Sequence, residues 1–372
     1  MKVLQLGKFF PVGGGVEKVM VDLMVGLSAR GVDCDMLCAG DHRASSVTKV
    51  NEHSKLIVVG AWCKLAATMI APGMIFQLRR ICREYDIIHV HHPDPMACLA
   101  LRLSGYKGKV VLHWHSDIGK QRFLLQLYRP LQHWLLKRAD VVVGTTPVYM
   151  EESPHLVHWQ HKTCCLPIGI QPVCPDKRAV EELRRPYGNR HIVFSLGRLV
   201  PYKGYRYLIE AARYLDEDYV VLIGGGGHLH KELKELIKRW GVTGKVQLLG
   251  RISDEDLPAY YGACSLFCLS SVQKTEAFGI VQIEAMSCGK PVVATRIPQS
   301  GVAWVNSHKE SGLNVEPCDV RGLAHAIKEI CEDEELYKRL SEGARERFQK
   351  LFHIDRMIDN TIEIYNQLWK NQ

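Results

Sequence analysis

Apolar residues in this chain gather into short continuous runs, each followed by a turn and then by residues at helical spacing. KVLQLG (2–7), CDMLCAG (34–40), KLIVVG (55–60), DIIHVHH (86–92), KVVLHWH (109–115) and DVVVGTT (140–146) are apolar on both faces. That pattern suits strands of a parallel sheet covered by helices on each side. After the first run, Val16, Val19, Met20, Leu23 and Leu27 recur at the spacing of a helix, giving the strand, glycine-rich loop and helix that open a doubly wound sheet. The pattern restarts at HIVFSLG (191–197) and continues through YVVLIGGGG (219–227), KVQLLG (245–250) and SLFCLSS (265–271). From Val320 onward the chain reads as charged helix. CCLPIGI (164–170), rich in Pro and Gly with the QPVCPDKR that follows, reads as a linker. The fold class is α/β with two Rossmann-like domains, 1–170 and 171–350, and a last helix, 351–372, that can cross back to the first.

The most informative stretch is TEAFGIVQIEAMSCGKPVVAT (275–295). Ile280, Val281, Ile283 and Met286 have the spacing of a helix packed on a sheet, and Gly289 with Pro291 marks its end. A helix is predicted from about Phe278 to Cys288. Its open N–H groups, at Phe278, Gly279 and Ile280, form an anion site at the positive end of the helix dipole. Glu276, just ahead of the helix, and Glu284, inside it, are carboxylates suited to accepting hydrogen bonds from hydroxyls. Phosphate and hydroxyls together imply a nucleotide sugar. The competing reading makes Glu276 a solvated first-turn acid and Glu284 a surface residue.

Two further groups carry candidate chemistry. Arg198 and Lys203, five residues apart across the tight loop after the 191–197 run, can converge on one diphosphate, or can be two solvated charges. His89, His91, His92, His113 and His115 lie in or at the ends of two strands. Alternation along the strands is expected to split histidines 89, 91, 92 and 113 between opposite faces, which argues against a metal site.

Composition narrows the class. With 372 residues, 47% hydrophobic and 24% charged, the chain fits two soluble globular domains. No apolar run reaches the ~20 residues of a membrane span and no signal-peptide pattern opens the chain, so a cytoplasmic location is expected. The 13 cysteines contain no C-x2-C pair and read as reduced core residues. The net charge of +8 is uneven, with 20 basic against 13 acidic residues in 1–167. Nucleic acid is not indicated, because no nucleic-acid motif accompanies the charge; an anionic membrane surface or phosphate-bearing lipid fits better. The segment 119–138 joins Phe123, Tyr128 and Trp134 to Lys120, Arg122, Lys137 and Arg138. It reads either as a core-facing helix or as an interfacial one.

Several of these motifs together resemble the signature of the family 4 glycosyltransferases, retaining enzymes of the GT-B fold, and the resemblance covers most of the chain. EAFGIVQIEAM is similar to the family motif, with wording close to mannosyl and rhamnosyl transferases of surface polysaccharide assembly. The resemblance implies two domains facing across a cleft. It also implies donor phosphates near Gly14 and Gly15 in a GGxE loop completed by Glu17, and the nucleotide base near Arg251 and Ile252. His115, in HWHSD, matches the position whose imidazole contacts the transferred sugar. Catalytic roles are therefore expected for Glu276, His115, Arg198 and Lys203. Donor binding is expected at Gly14, Gly15, Arg198, Lys203, Arg251, Ile252, Glu276, Phe278, Gly279, Ile280 and Glu284. The chain departs from the family at Ile168, where Asn is usual, at Gly225, where an acid is common, and at Ser270, where Pro is common. The expected reaction moves a hexose from a nucleotide diphosphate sugar to a glycan or lipid-linked acceptor without a metal cofactor. A sugar-nucleotide epimerase, a phosphorylase and a noncatalytic phosphoglycan-binding module are the rival readings.

Overall fold

The computed structural model describes residues 1–65, 68–118 and 122–370. Contacts divide the chain into two units, Met1–Gly169 with Ile354–Gln372, and Ile170–His353.

In the first unit the elements run β1 (Lys2–Phe10), α1 (Gly15–Ala29), β2 (Asp33–Gly40), β3 (Ser46–Asn51), β4 (Ser54–Val59), the ribbon β5 (Cys63–Leu65) and β6 (Thr68–Ile70), α2 (Gly73–Ile81), β7 (Ile87–His92), α3 (Pro95–Ser104), β8 (Lys109–Trp114), α4 (Arg122–Arg138), β9 (Val141–Gly144), α5 (Pro147–Glu152) and β10 (Thr163–Cys165). The eight strands of the main sheet lie in the order β10-β9-β8-β7-β1-β2-β4-β3, and all pairs are parallel except β3 with β4. Val3, Leu4, Leu37, Ile88, Val111 and Leu112 are fully buried on both sides of this sheet, which is why its strands read as continuous apolar runs. β3 carries no such run, since SVTKVN lies exposed at the sheet edge. β1 continues past Gly7 to Phe10 through a register irregularity between Leu6 and Phe9. Cys164 and Cys165, read from the sequence as linker, belong to edge strand β10.

The C-terminal helix, Ile354–Lys370, belongs to this unit. The Arg30 guanidinium, just past α1, pairs with Asp355 at 2.7 Å and with Asp359. Gly26 lets the helix approach, because a Cβ there would lie 2.5 Å from Ile358. Tyr365 is driven to zero exposure.

The second unit runs α6 (Lys177–Arg184), β11 (His191–Leu196), α7 (Tyr205–Ala211), β12 (Tyr219–Gly224), α8 (His230–Arg239), β13 (Val246–Gly250), α9 (Leu257–Ala263), β14 (Leu266–Leu269), α10 (Ile280–Ser287), β15 (Val292–Thr295), α11 (Val302–Val305), β16 (Gly312–Val315), α12 (Val320–Glu332) and α13 (Glu334–Arg347). Its six strands are all parallel, in the order β13-β12-β11-β14-β15-β16. Chain order therefore reverses between β11 and β14, and ligands of open α/β sheets bind outside the carboxyl ends of strands at such a reversal. The loops that leave those two strands hold Arg198 and Lys203 on one side and Glu276 on the other.

One glycine fixes how closely these loops approach. Gly204 adopts the left-handed conformation, φ 67°, and a Cβ there would sit 2.0 Å from the carbonyl oxygen of Ser270. Gly204→Ala is expected to lower the urea midpoint of this unit, because the left-handed backbone alone costs a residue with a Cβ about 1–2 kcal/mol. An unchanged midpoint would show that the two loops are not held in contact.

Candidate functional site

β11 delivers the chain to Gly197 and the exposed Arg198, then a single turn, Pro201–Lys203, carries Lys203 back into the protein. β14 ends at the buried pair Ser270 and Ser271. Lys203 Nζ lies 2.5 Å from Glu276 Oε2, with the two side chains only 9% and 12% exposed. Ser271 Oγ donates to the same carboxylate oxygen at 2.9 Å, Ser300 Oγ donates to the Glu276 carbonyl, and Ser270 Oγ donates to the Lys203 carbonyl at 3.1 Å. An ion pair this dry needs its two loops held in place, and the serines hold them: Ser271 bonds the carboxylate itself, while Ser270 and Ser300 bond the backbone carbonyls of Lys203 and Glu276. Serine at the family's proline position thus acquires a contact that the sequence did not suggest. Arg198 differs from Lys203: among the described residues its guanidinium bonds one side chain, the Tyr202 hydroxyl at 3.4 Å. A loop position at a strand end can in general lose its side chain without opening a core cavity. That holds for Arg198 but not for Lys203 and Glu276, whose partner would be left buried.

The helix after Glu276 begins later than predicted. It spans Ile280–Ser287, and Gly279 caps it at φ 76°. A Cβ on Gly279 would meet Gln282 Nε2 at 2.7 Å and Leu269 at 2.8 Å, so another residue there would have to displace both side chains and adopt a strained left-handed backbone. Phe278 lies outside the helix, buried, with its carbonyl accepting from Gln282 Nε2 at 2.9 Å. Gly279 also uses its carbonyl, accepting from the Gln282 N–H at 2.9 Å. The Gln282 N–H is thus used inside the turn, Ile280 and Val281 are the first residues whose N–H groups the helix leaves open, and Phe278 and Gly279, expected within the helix, lie just ahead of it. Past the helix, Gly289 takes the expected left-handed conformation, φ 69°. Glu284 lies mid-helix, half-buried, and accepts a 2.5 Å hydrogen bond from the Tyr261 hydroxyl. Tyr261 helps to orient it, and nothing in the sequence pattern pointed to this pair. Burial, with Glu284 adjacent, drives the Tyr261 phenol well above its ordinary pKa, so it remains a donor.

Arg251 and Ile252 follow β13. Arg251 is exposed, while Ile252 packs over Gly224, where a Cβ would meet its Cδ1 at 2.6 Å. The N–H of Gly225 donates to the Gly250 carbonyl at 2.6 Å, tying this loop to the Gly224–Gly227 turn. Gly14, Gly15 and His115 belong to the first unit. Gly14 caps α1, both glycines are exposed, and Glu17 is buried beneath them with its carboxylate against Gly14. His115 follows β8 and is 6% exposed. Both places lie at carboxyl ends of strands, β1 and β8.

The expected separation of the histidines is corrected by the register. His89 and His91 are two apart on β7 and share a face, and His91 stands beside His113 on β8. Only His92 of the four turns to the other face, stacking on Trp114 at 3.7 Å. Nitrogens of His89, His91 and His113 lie within 4.8 Å of one another. Their rings stack, with interplanar angles of 17°, 18° and 29°, so the in-plane lone pairs run side by side instead of converging on one ion. Burial lowers the pKa of His89, His91 and His115 well below the ordinary value and that of His113 to about 3, and the imidazoles are neutral. Three Asp-x-Asp triplets, Asp33–Asp35, Asp216–Asp218 and Asp254–Asp256, are present in the sequence. One carboxylate of each is engaged elsewhere: Asp35 with Tyr85, Asp216 with Lys328 and Asp256 with Ser253.

The 119–138 segment forms α4 over Arg122–Arg138. Lys120 and the side chains of Arg122 and Phe123 lie outside the described residues. Tyr128, expected at an interface, is buried, Trp134 is half-buried under Arg102, and Arg138 bonds to Asp140 and to the Gly108 carbonyl. The core-facing reading therefore accounts for most of this helix, although Leu127 is 70% exposed. Among the described residues no helix is long and apolar enough to cross a membrane.

Family models match both halves of the chain: Glycosyltransferase Family 4 over residues 13–171 and Glycosyl transferases group 1 over residues 177–347. O-antigen chain mannosyltransferase C of Escherichia coli is 30% identical over 376 residues, covering 100% of both chains. The chain belongs to glycosyltransferase family 4. D-rhamnosyltransferase WbpZ of Pseudomonas aeruginosa is 30% identical over 95% of this glycosyltransferase and 92% of its own length. Among solved structures, Anabaena HepE in complex with UDP has a TM-score of 0.81 at 21% identity, covering 99% of this chain and 100% of that one. These likenesses establish the GT-B fold.

The buried histidines of this glycosyltransferase give its stability a pH dependence of definite sign. Their folded pKa values are depressed, so the unfolded chain binds more protons once pH falls to the unfolded value near 6.5. Stability is fully present above that pH and is lost below it, by up to about 1.4 kcal/mol per pH unit for each histidine. Urea unfolding followed between pH 7 and 5 should show the loss, and His113→Phe should reduce its slope. Equal slopes in variant and parent would contradict the assignment.

Proposed function

We propose that this glycosyltransferase moves a hexose, with retention, from a nucleotide diphosphate sugar to a hydroxyl of a glycan acceptor in surface polysaccharide assembly. The single observation that carries the donor reading is the convergence of Arg198, the Lys203–Glu276 pair and the loop into α10 at the sheet's reversal of strand order. Arg198 and Lys203 stabilise the diphosphate as the bond from the anomeric carbon to its oxygen breaks, helped by the N–H groups of Ile280 and Val281. The acceptor oxygen bonds to the same carbon from the same face, and its proton passes to the departing phosphate. Glu276, held by Lys203 and Ser271, orients the hexose, and His115 contacts it. Glu284, oriented by Tyr261, holds ribose hydroxyls. Gly14 and Gly15 admit phosphate close to backbone, and the loop at Arg251 and Ile252 receives the base. The names of the relatives, a mannosyltransferase and a rhamnosyltransferase, favour a mannose-type hexose.

Turnover on a panel of nucleotide sugars including GDP-mannose and UDP-glucose, with and without glycan acceptors, tests this reading. Sugar isomerised without acceptor would indicate an epimerase, and binding without turnover a noncatalytic module. With the donor that the panel selects, Arg198→Ala should lose about a hundredfold in turnover, the scale of one preorganised charge contact, while its urea midpoint stays at the parent value. Near-parent turnover would remove Arg198 from the site.

The reaction is also proposed to need no divalent cation, since two cationic side chains and a helix N-terminus supply the neutralising charge. Turnover should survive EDTA; activity lost in EDTA and restored by Mg²⁺ or Mn²⁺ would overturn this.

A further inference from the structure

The core of the first unit holds a chain of polar side chains that the transfer reaction leaves unexplained. Gln5 on β1 stands beside His89 on β7 in the parallel register, and Gln5, His89, His91 and Tyr365 have zero exposure. Gln5 Nε2 donates to the Tyr365 hydroxyl at 3.1 Å and faces Cys34 Sγ at 3.6 Å, while Gln5 Oε1 lies 2.7 Å from His91 Nε2. An amide oxygen only accepts, so the proton of this pair sits on His91 Nε2. A neutral imidazole carries one proton, which leaves His91 Nδ1 bare. His115 Nε2 lies 2.9 Å from that lone pair and must donate to it. His115 Nδ1 is then a bare acceptor, buried and without a hydrogen-bond partner among the described residues.

We infer that Gln5 and His91 are positioning residues which lock His115 with its proton on Nε2, so that Nδ1 is committed to accept a hydrogen bond from a hydroxyl of the transferred sugar. The inference rests on the proposed contact between His115 and the hexose. Stacking on His113, with ring centroids 3.9 Å apart and planes at 13°, fixes the orientation of the His115 ring. With the amide in this orientation, its nitrogen toward Tyr365 and Cys34, the Tyr365 hydroxyl accepts from Gln5 and donates to His89 Nδ1 at 2.6 Å. Reversing Gln5 would reverse the proton at every later link, so the tautomer of His115 reports the whole chain. A buried acceptor with no partner is unfavourable until a donor satisfies it, so the site favours a sugar presenting a hydroxyl there over one presenting a carboxylate.

Histidine-selective ¹⁵N labelling of the full chain, with a two-bond ¹H–¹⁵N correlation, distinguishes protonated from bare ring nitrogens, and His115→Gln identifies the signals of His115. The expected spectrum has His115 protonated on Nε2 and bare on Nδ1; the opposite tautomer overturns the inference without any further variant. Gln5→Met removes the acceptor at similar size, and it should mix the His115 tautomers and lower turnover of GDP-mannose about tenfold, the effect of one buried hydrogen bond. Gln5→Glu keeps an acceptor and should restore the parent tautomer. A mixed tautomer with parent-like turnover would sink the contact between His115 and the sugar, whereas an unmixed tautomer in Gln5→Met would sink the relay. Should Gln5→Met fail to fold, the parent spectrum decides.

Discussion

The ion pair of Lys203 with Glu276 constrains the loops on either side of the reversal in strand order within the second unit. Each charge alone would pay a large desolvation penalty at this depth, and neither loop can shift without exposing the other's partner. Ser270 and Ser271 make the arrangement possible by satisfying a carbonyl on one loop and a carboxylate oxygen on its own. Gly204 is required for the same reason, since the Ser270 carbonyl occupies the space a side chain would need. The charges are thus set before a ligand arrives, and preorganised charge is worth more to a reaction than charge that must be gathered during it.

The first unit solves a related problem with neutral groups. Imidazoles stacked across β7 and β8 are buried where no counter-charge reaches them, so desolvation keeps them uncharged, and their hydrogen bonds have a fixed direction. The C-terminal helix contributes Tyr365 to this network, so the last segment of the chain completes the polar core built by the first strand.

Much of this was legible in the amino-acid pattern. Parallel strands buried on both faces must be apolar throughout, so the runs from KVLQLG to SLFCLSS marked the strands directly. Gly289 announced the end of α10 because only glycine takes its left-handed turn without strain. Edge strand β3 was not legible, since an exposed edge needs no apolar face. The start of α10 was displaced by two residues because Phe278 continues the apolar pattern, while Gly279 takes a left-handed backbone that a helix does not.

The sequence by itself determined the alternating strands and helices, the two-domain class and the residue types that suit a nucleotide sugar, because burial and helix-end chemistry act locally along the chain. Only the tertiary structure decided which groups meet. Lys203 and Glu276 are 73 positions apart and Gln5 and Tyr365 are 360 apart. Strand register decided that His91 faces His113 and His115 while His92 turns away. Those pairings follow from how strands align across a sheet, and register between distant segments leaves no periodicity in any one of them.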